Sequence, residues 1–413
     1  MSSNHGIKIK EKNAIFDHIA STTAGAKRTK NGVLLPLDAH GSFYHITDIS
    51  PINKDAYREF GDEWIAYSGI CSVEDYKKII TLNSPYDHLL KIRADSILDN
   101  MRVYRVFQNR FKKAQGMTLS KWYARNDRVN TYLSYLSKGN QVKLGSVPIG
   151  TAMLQKPNAV CMRVDKSNII IISEKLMYAL YFFNIFIYGE SLGFNQEECN
   201  LGLIIALRIV YGYETLDFDL DNRGEFPDYI ERNLQKITSY QYDFIVGHEY
   251  AHHILGHLDN SKLYSERFLN NGSSEKNQHY IHRFKEEYDA DWYAVKNLTG
   301  DSSYKNNITN AAFSCFFFFY VLENFGEYIA PSGNVKVKNH PPAMSRLNSL
   351  RAKVKSKYGE SKSQLELTKN AIDGFLNYFI NDMMVYHMDD FEVYGSLYFE
   401  RFKNKKLIDR FDY

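Results

Sequence analysis

The chain has 413 residues, of which 44% are hydrophobic and 24% are charged, and its formal net charge is +3. This composition is typical of a soluble globular protein with enough chain to bury a core. The small net charge argues against a nucleic-acid partner.

The four cysteines are widely spread and form no C-x-x-C pair, which predicts reduced thiols and a cytoplasmic protein. Residues 1–30 are polar and basic, and predict a loosely ordered arm with no signal peptide. Each of the most apolar runs is shorter than the ~20 residues that span a bilayer. These runs cover residues 169–172, 177–188, 201–210 and 311–321. No membrane span is therefore predicted.

Three regions are predicted along the chain. Residues 1–150 contain no chemical motif and are expected to form an accessory or recognition region. Within this region, residues 32–48 alternate apolar and polar positions as a hairpin does, and residues 86–110 keep apolar positions at helical spacing. A central domain is expected over residues 151–355, and a helical C-terminal extension over residues 356–413.

The central domain begins with two predicted strands, over residues 159–164 and 168–173, which are joined by a tight polar turn. Helices are predicted next over residues 193–211 and 226–239, separated by an acidic loop at 217–225. The predicted fold class is α+β and mostly helical, with a small antiparallel sheet beside the helix that follows.

That helix is predicted over residues 240–255 and carries H-E-x-x-H as His248, Glu249 and His252. Residues four apart on a helix differ by about 40° around the axis, so the two histidines point the same way. Two neutral imidazoles so placed can take two corners of a tetrahedral Zn²⁺ site. Glu249 projects from an adjacent part of the same surface and can deprotonate a water held there.

A catalytic zinc site needs a third protein ligand. His257 follows a helix stop at Gly256, and it lies about 180° around the helix from His248. It therefore faces away unless the chain turns after the glycine. The metzincin pattern requires glycine and histidine where this chain has Leu255 and Leu258, so that class is disfavoured.

The next helix, predicted over residues 281–298, offers a better ligand. Glu287 and Asp291 fall on one face of this helix, and Glu287 is the favoured third ligand, with Glu286 and Asp289 as alternatives. Asp291 can then accept a ring N–H from a ligating histidine and fix its orientation.

The intervening residues 258–279 are long and polar and predict a loop, either a lid over the site or a plain excursion. His279, at its end, and His282, just beyond it, could be extra metal ligands, but they are expected to face solvent. A strand at residues 168–172 is expected to pair with an extended substrate by strand addition.

Three motifs in order resemble the gluzincin metallopeptidases of the HtpX and CAAX prenyl protease type. The motifs are H-E-x-x-H, E-x-x-x-D-x-x-A and H-P-x-x-x-x-R, and the match covers roughly residues 157–350. The resemblance implies a zincin-like domain in which Glu287 is the third zinc ligand and Asp291 supports it. It also implies that His340 and Arg346 lie near the substrate, where they could steady the oxyanion.

Family members usually span a membrane, and this chain is expected not to. A soluble gluzincin with a large N-terminal region also resembles, more loosely, the Lit-type phage-exclusion peptidases, which cut a host protein inside the cell. The predicted function is a zinc-dependent endopeptidase acting on an intracellular protein or peptide. The alternatives are a zincin-fold sensor or binding module with little or no peptidase activity, and a metal-dependent hydrolase of a non-peptide amide.

Overall fold

The structure is a computed structural model, and its packing divides the chain into two compact units, Met1–Tyr76 and Lys77–Tyr413. The boundaries predicted near residues 150 and 355 stay predictions. The structure describes residues 9–36, 43–47, 49, 53–114, 116–126, 129–164, 167–214, 216, 226–260, 262–266, 277–329, 340–393, 395–399 and 401.

The first unit combines short helices with a three-stranded antiparallel sheet in which the middle strand pairs with both neighbours. Its elements are α1 (Ile9–Thr22), β1 (Lys27–Thr29), β2 (Gly32–Pro36), β3 (Phe43–Ile46), α2 (Lys54–Phe60) and α3 (Asp62–Tyr67). The hairpin predicted over residues 32–48 is confirmed as β2 and β3. The prediction of a loosely ordered arm over residues 1–30 is wrong from residue 9 onward, because α1 packs on β2 and buries Phe16. Residues 1–8 lie outside the described part.

The second unit is mostly helical. Before its sheet it contains α4 (Val73–Thr81, which begins in the first unit), α5 (Pro85–Leu98), α6 (Met101–Lys113), α7 (Leu119–Asn126), α8 (Val129–Ser134) and α9 (Lys138–Leu144). Later helices are α10 (Glu174–Tyr188), α11 (Gln196–Tyr211), α12 (Asp228–Ile254), α13 (His257–Asn260), α14 (Phe284–Lys296), α15 (Ser302–Ile329), α16 (Ala343–Val354), α17 (Lys362–Tyr378) and α18 (Met384–Glu392). All four cysteines of the chain are buried thiols, and none forms a disulfide.

The helical spacing over residues 86–110 is confirmed, and the segment forms two helices, α5 and α6, because Asn100 caps the second by accepting hydrogen bonds from the Arg102 and Val103 amides. One helix prediction is corrected by the structure. The helices predicted over residues 226–239 and 240–255 form one helix, α12, because no glycine or proline interrupts the chain between Asp228 and Val246. The acidic loop at 217–225 lies outside the described residues.

The second sheet has the strand order β4-β6-β5-β8-β7. Its strands are β4 (Ile149–Ala152), β5 (Ala159–Val164), β6 (Ser167–Ser173), β7 (Lys262–Glu266) and β8 (Asn277–Ile281). The strands predicted before α10 are confirmed as β5 and β6. A purely antiparallel sheet was expected. The observed sheet is mixed, because β4 runs parallel to β6.

Two further predictions about this sheet are wrong. The polar stretch 258–279, expected to be a loop, supplies β7 and most of β8, because β8 is held by hydrogen bonds to β5 from far along the chain. The prediction that an extended substrate pairs with residues 168–172 is also wrong, because β6 is already paired on both sides, with β4 and β5. The β7 and β4 strands stand at the two ends of the sheet.

One described helix, α15, is long and apolar enough over Ser302–Tyr328 to cross a membrane, judged by length and composition alone. Of its apolar window, 67% is buried inside the protein, as in the core helix of a globular domain. The apolar run at residues 311–321 is therefore part of a longer helix than the sequence indicated. The absence of a membrane span stays a prediction.

Helix α12 is fixed against α14 through a tyrosine of α8. The Tyr132 hydroxyl donates a hydrogen bond to the Ala294 carbonyl of α14 at 2.8 Å. The ring of Tyr132 lies directly over Gly247 of α12, so closely that a Cβ at this position would be 2.5 Å from a ring carbon. Gly247 therefore lets the tyrosine join the two helices.

We expect Gly247→Ala to lower the free energy of unfolding by about 1–3 kcal/mol, because the added methyl group overpacks this contact. The matched control is Gly139→Ala in α9, where a Cβ would meet no atom within 4 Å. That change should leave stability unchanged or raise it by up to about 1 kcal/mol. Urea denaturation measures both. Equal effects of the two substitutions would contradict the role of the Tyr132 contact.

Candidate metal centre

Three side chains from two helices converge inside the second unit: His248 and His252 of α12, and Glu287 of α14. One possible ligand atom from each lies within 4.8 Å of the others. The two Nε2 atoms are 3.2 Å apart, and the Glu287 oxygens lie 3.6 and 3.7 Å from them. Two ligands at tetrahedral positions around one zinc-sized ion are roughly 3.3 Å apart. The spacing therefore fits a single shared ion.

Glu287 has an oxygen that the protein leaves unsatisfied. Its side chain is fully buried, and within the described residues Oε1 has no hydrogen-bond partner. Oε2 accepts a hydrogen bond from His340 Nδ1 at 2.6 Å. Burial opposes ionisation, but His340, His248 and Arg346 together hold the pKa of Glu287 well below its ordinary value. A buried anionic oxygen without a donor is destabilising, so this group of residues could hold a metal ion.

The two alternative acidic ligands face elsewhere. Glu286 accepts a hydrogen bond from the Arg283 amide at 2.8 Å and so caps the start of α14. Asp289 lies 3.7 Å from the Lys353 ammonium, and more than a third of its side chain is exposed. Of these three acidic residues, Glu287 alone joins the two imidazoles of α12.

His248 is oriented by a buried charge pair. Its Nδ1 donates to Asp291 Oδ1 at 2.9 Å, which leaves the Nε2 lone pair directed at the shared site. Arg346 of α16 donates to both Asp291 oxygens, at 2.6 and 2.8 Å. Burial alone would raise the pKa of Asp291, but Arg346 and His248 lower it. The carboxylate is therefore charged, and it holds the ring in the tautomer that a metal ligand requires.

His252 is oriented by two histidines whose role sequence reasoning missed. Its Nδ1 is 3.0 Å from Nδ1 of His257, so a proton on His252 Nδ1 can be donated to His257 and leave Nε2 free. The chain does turn at Gly256, which has φ +69°, and this turn carries His257 back to the site. The signal in the sequence that could have placed His257 at the site was the helix-stopping Gly256 directly before it.

The second of these histidines is His282, which was expected to face solvent, but only 8% of its side chain is exposed. Its ring stacks on that of His252, with centroids 3.6 Å apart and planes inclined by 20°. Burial lowers the pKa of His282 to about 4, so the stacked rings carry no opposing positive charges near neutral pH. Burial and the neighbouring His248 also lower the pKa of His252 well below its ordinary value. The side chain of His279 lies outside the described part of the chain.

Glu249, the predicted base, is buried on α12 with 8% of its surface exposed. Burial raises its pKa; His248 opposes that rise, and Glu287 reinforces it. A carboxyl group with a raised pKa can both accept and return a proton near neutral pH.

His340 and Arg346 occupy different environments. One third of the His340 side chain is exposed, whereas Arg346 is buried and engaged by Asp291. His340 is thus the better placed of the two to meet another molecule. Roles for either residue at an oxyanion stay predictions.

Comparison with models of known protein families, with curated proteins and with solved structures found no match to this chain. The arrangement of these side chains is therefore the observation on which a functional proposal rests.

We expect three histidines of this segment to differ in their effect on metal binding, measured by equilibrium dialysis with elemental analysis. His252→Ala should abolish stoichiometric binding, because it removes a ligand. His257→Ala should weaken binding about 10–100-fold, because it frees the His252 ring. The matched control is His253→Ala, which should bind metal as the native chain does. The Nε2 atom of His253 lies 3.6 Å from Cys161 Sγ, outside the cluster. Equal binding by all three variants would contradict the ligand assignment.

Proposed function

We propose that this protein is a zinc-dependent endopeptidase of the gluzincin type, which hydrolyses peptide bonds of a protein inside the cell. One observation carries the proposal: two imidazoles and an unsatisfied carboxylate oxygen converge beside the buried carboxyl group of Glu249. Asp291 of the second motif and Arg346 of the third hold one imidazole in place. These are the residues on which the resemblance to gluzincins was based.

The donor set favours zinc over harder cations. Two imidazole nitrogens with one carboxylate are a typical catalytic zinc set, whereas magnesium and calcium prefer oxygen ligands. The residues that would hold the ion are His248, His252 and Glu287. When bound, zinc supplies a Lewis acid that polarises the scissile carbonyl and lowers the pKa of water.

Glu249 performs the proton transfers in this proposal. Its carboxylate accepts the proton of the attacking water, and the resulting carboxylic acid protonates the leaving amine. The raised pKa of Glu249 favours the first transfer, because its carboxylate is then a stronger base. His340, partly exposed and hydrogen-bonded to Glu287, is the favoured donor to the oxygen of the scissile carbonyl.

Substrate backbone would pair with an edge of the sheet. Among the described strands, β6 has both sides occupied, and the outer strands are β4 and β7. We favour β7, because it follows the metal helix and the short α13 directly in the chain. An extended peptide on β7 would be bound largely through main-chain hydrogen bonds, which tolerate different side chains.

Glu249→Gln tests the proposal most simply. The substitution keeps the size of the side chain but removes its proton acceptor, so we expect metal content to remain and turnover to fall about 10²–10⁴-fold. The assay is cleavage of denatured proteins and of a peptide library, read by mass spectrometry. His253→Ala is the control, because it alters the same helix outside the cluster.

Each rival function has its own outcome in this assay. A binding module predicts metal binding with no chelator-sensitive cleavage by the native chain. If the protein hydrolyses a non-peptide amide, we expect no cleavage of the peptides. We then expect release of amines from a panel of small amides, and this release should depend on Glu249. Full peptidase activity in Glu249→Gln would refute Glu249 as the base.

A further inference from the structure

A second concave site lies away from the metal centre, between α10, α15 and the start of α17. The cavity has a volume of about 320 Å³, at the lower end of the range for small-molecule sites. Its apolar wall is aromatic and aliphatic, and its polar wall contains a carboxylate. The wall residues used below are Phe313, Phe317, Glu360 and Leu367.

Backbone hydrogen bonds hold Glu360 at the wall of this cavity. Two asparagines one turn apart on α15, Asn306 and Asn310, accept hydrogen bonds from the Gly359 and Glu360 amides, both at 2.8 Å. Gly359 has φ +76°, and a Cβ there would lie 2.6 Å from the Phe313 ring. The turn before α17 therefore packs closely on α15, and this packing fixes the position of Glu360 at the cavity wall.

The Glu360 carboxyl group serves no evident need of the fold. Ser361 and Gln364 already cap α17 by exchanging hydrogen bonds with each other's amides. The nearest cation in sequence, Lys362, lies 3.6 Å from Glu366. Burial raises the pKa of Glu360, and among the described residues no cation or hydrogen bond offsets that rise. A half-buried carboxylate without compensation destabilises the protein unless a ligand completes it.

We propose that this cavity binds a small organic ammonium ion, whose charged nitrogen pairs with Glu360 and whose apolar body lies against Phe313, Phe317 and Leu367. A primary ammonium supplies the donors that the carboxylate lacks. Aromatic side chains attract cations in addition to packing on their apolar part. The volume favours a free amine of modest size. The proposal is independent of the peptidase proposal, because it uses none of the metal-site residues.

The experiment is a ¹⁹F NMR titration of the metal-loaded full chain with 4-fluorobenzylammonium. We expect saturable binding by the native chain, weakened at least about tenfold by Glu360→Gln, since a charge-assisted contact is lost. The matched control, Glu366→Gln, removes an exposed carboxylate of the nearby helix α17 and should bind as the native chain does. Neutral 4-fluorobenzyl alcohol should bind weakly, and equally to all three proteins.

Absence of saturable binding, or equal binding by Glu360→Gln and the native chain, would overturn the proposal. Binding of the alcohol as tightly as the amine would overturn the assignment of an ammonium ligand. Thermal unfolding without ligand is a second readout, and Glu360→Gln should raise the midpoint by removing an uncompensated charge. A lowered midpoint would show that the carboxylate serves the fold and would also overturn the proposal.

Discussion

The Asp291 carboxylate connects three helices in the interior of the protein. It lies on α14, accepts a hydrogen bond from the ring of His248 on α12, and accepts two more from the Arg346 guanidinium on α16. A buried carboxylate requires such partners, since an uncompensated charge in this environment would be strongly destabilising. The same hydrogen bonds set the tautomer and direction of one imidazole. The charge pairing that stabilises the helix arrangement is thus also what prepares a ligand.

The second imidazole is prepared in a different way. His252 is held by a hydrogen bond to His257 and by the stacked ring of His282, so neutral rings do for it what a carboxylate does for His248. Glu287, facing both rings, keeps one buried oxygen without a donor among the described residues. Two oriented lone pairs and an unsatisfied anion make a site that a cation would complete.

Local signals predicted the centre better than they predicted the sheet. The four-residue spacing of His248 and His252, and the matching spacing of Glu287 and Asp291, depend only on helix geometry, and the structure has both segments as helix. By contrast, β8 forms because it pairs with β5, and β6 is enclosed because β4 pairs on its far side; neither non-local pairing is visible in local polarity. His257 was misplaced because extrapolating an ideal helix ignores the turn that Gly256 introduces.

Zinc K-edge X-ray absorption on the metal-loaded protein tests the central claim most directly, because it reports the ligands themselves. We expect nitrogen and oxygen ligands at about 2.0–2.1 Å, with the outer-shell scattering of two imidazoles. A first shell with no imidazole contribution, or one containing sulfur at about 2.3 Å, would contradict it.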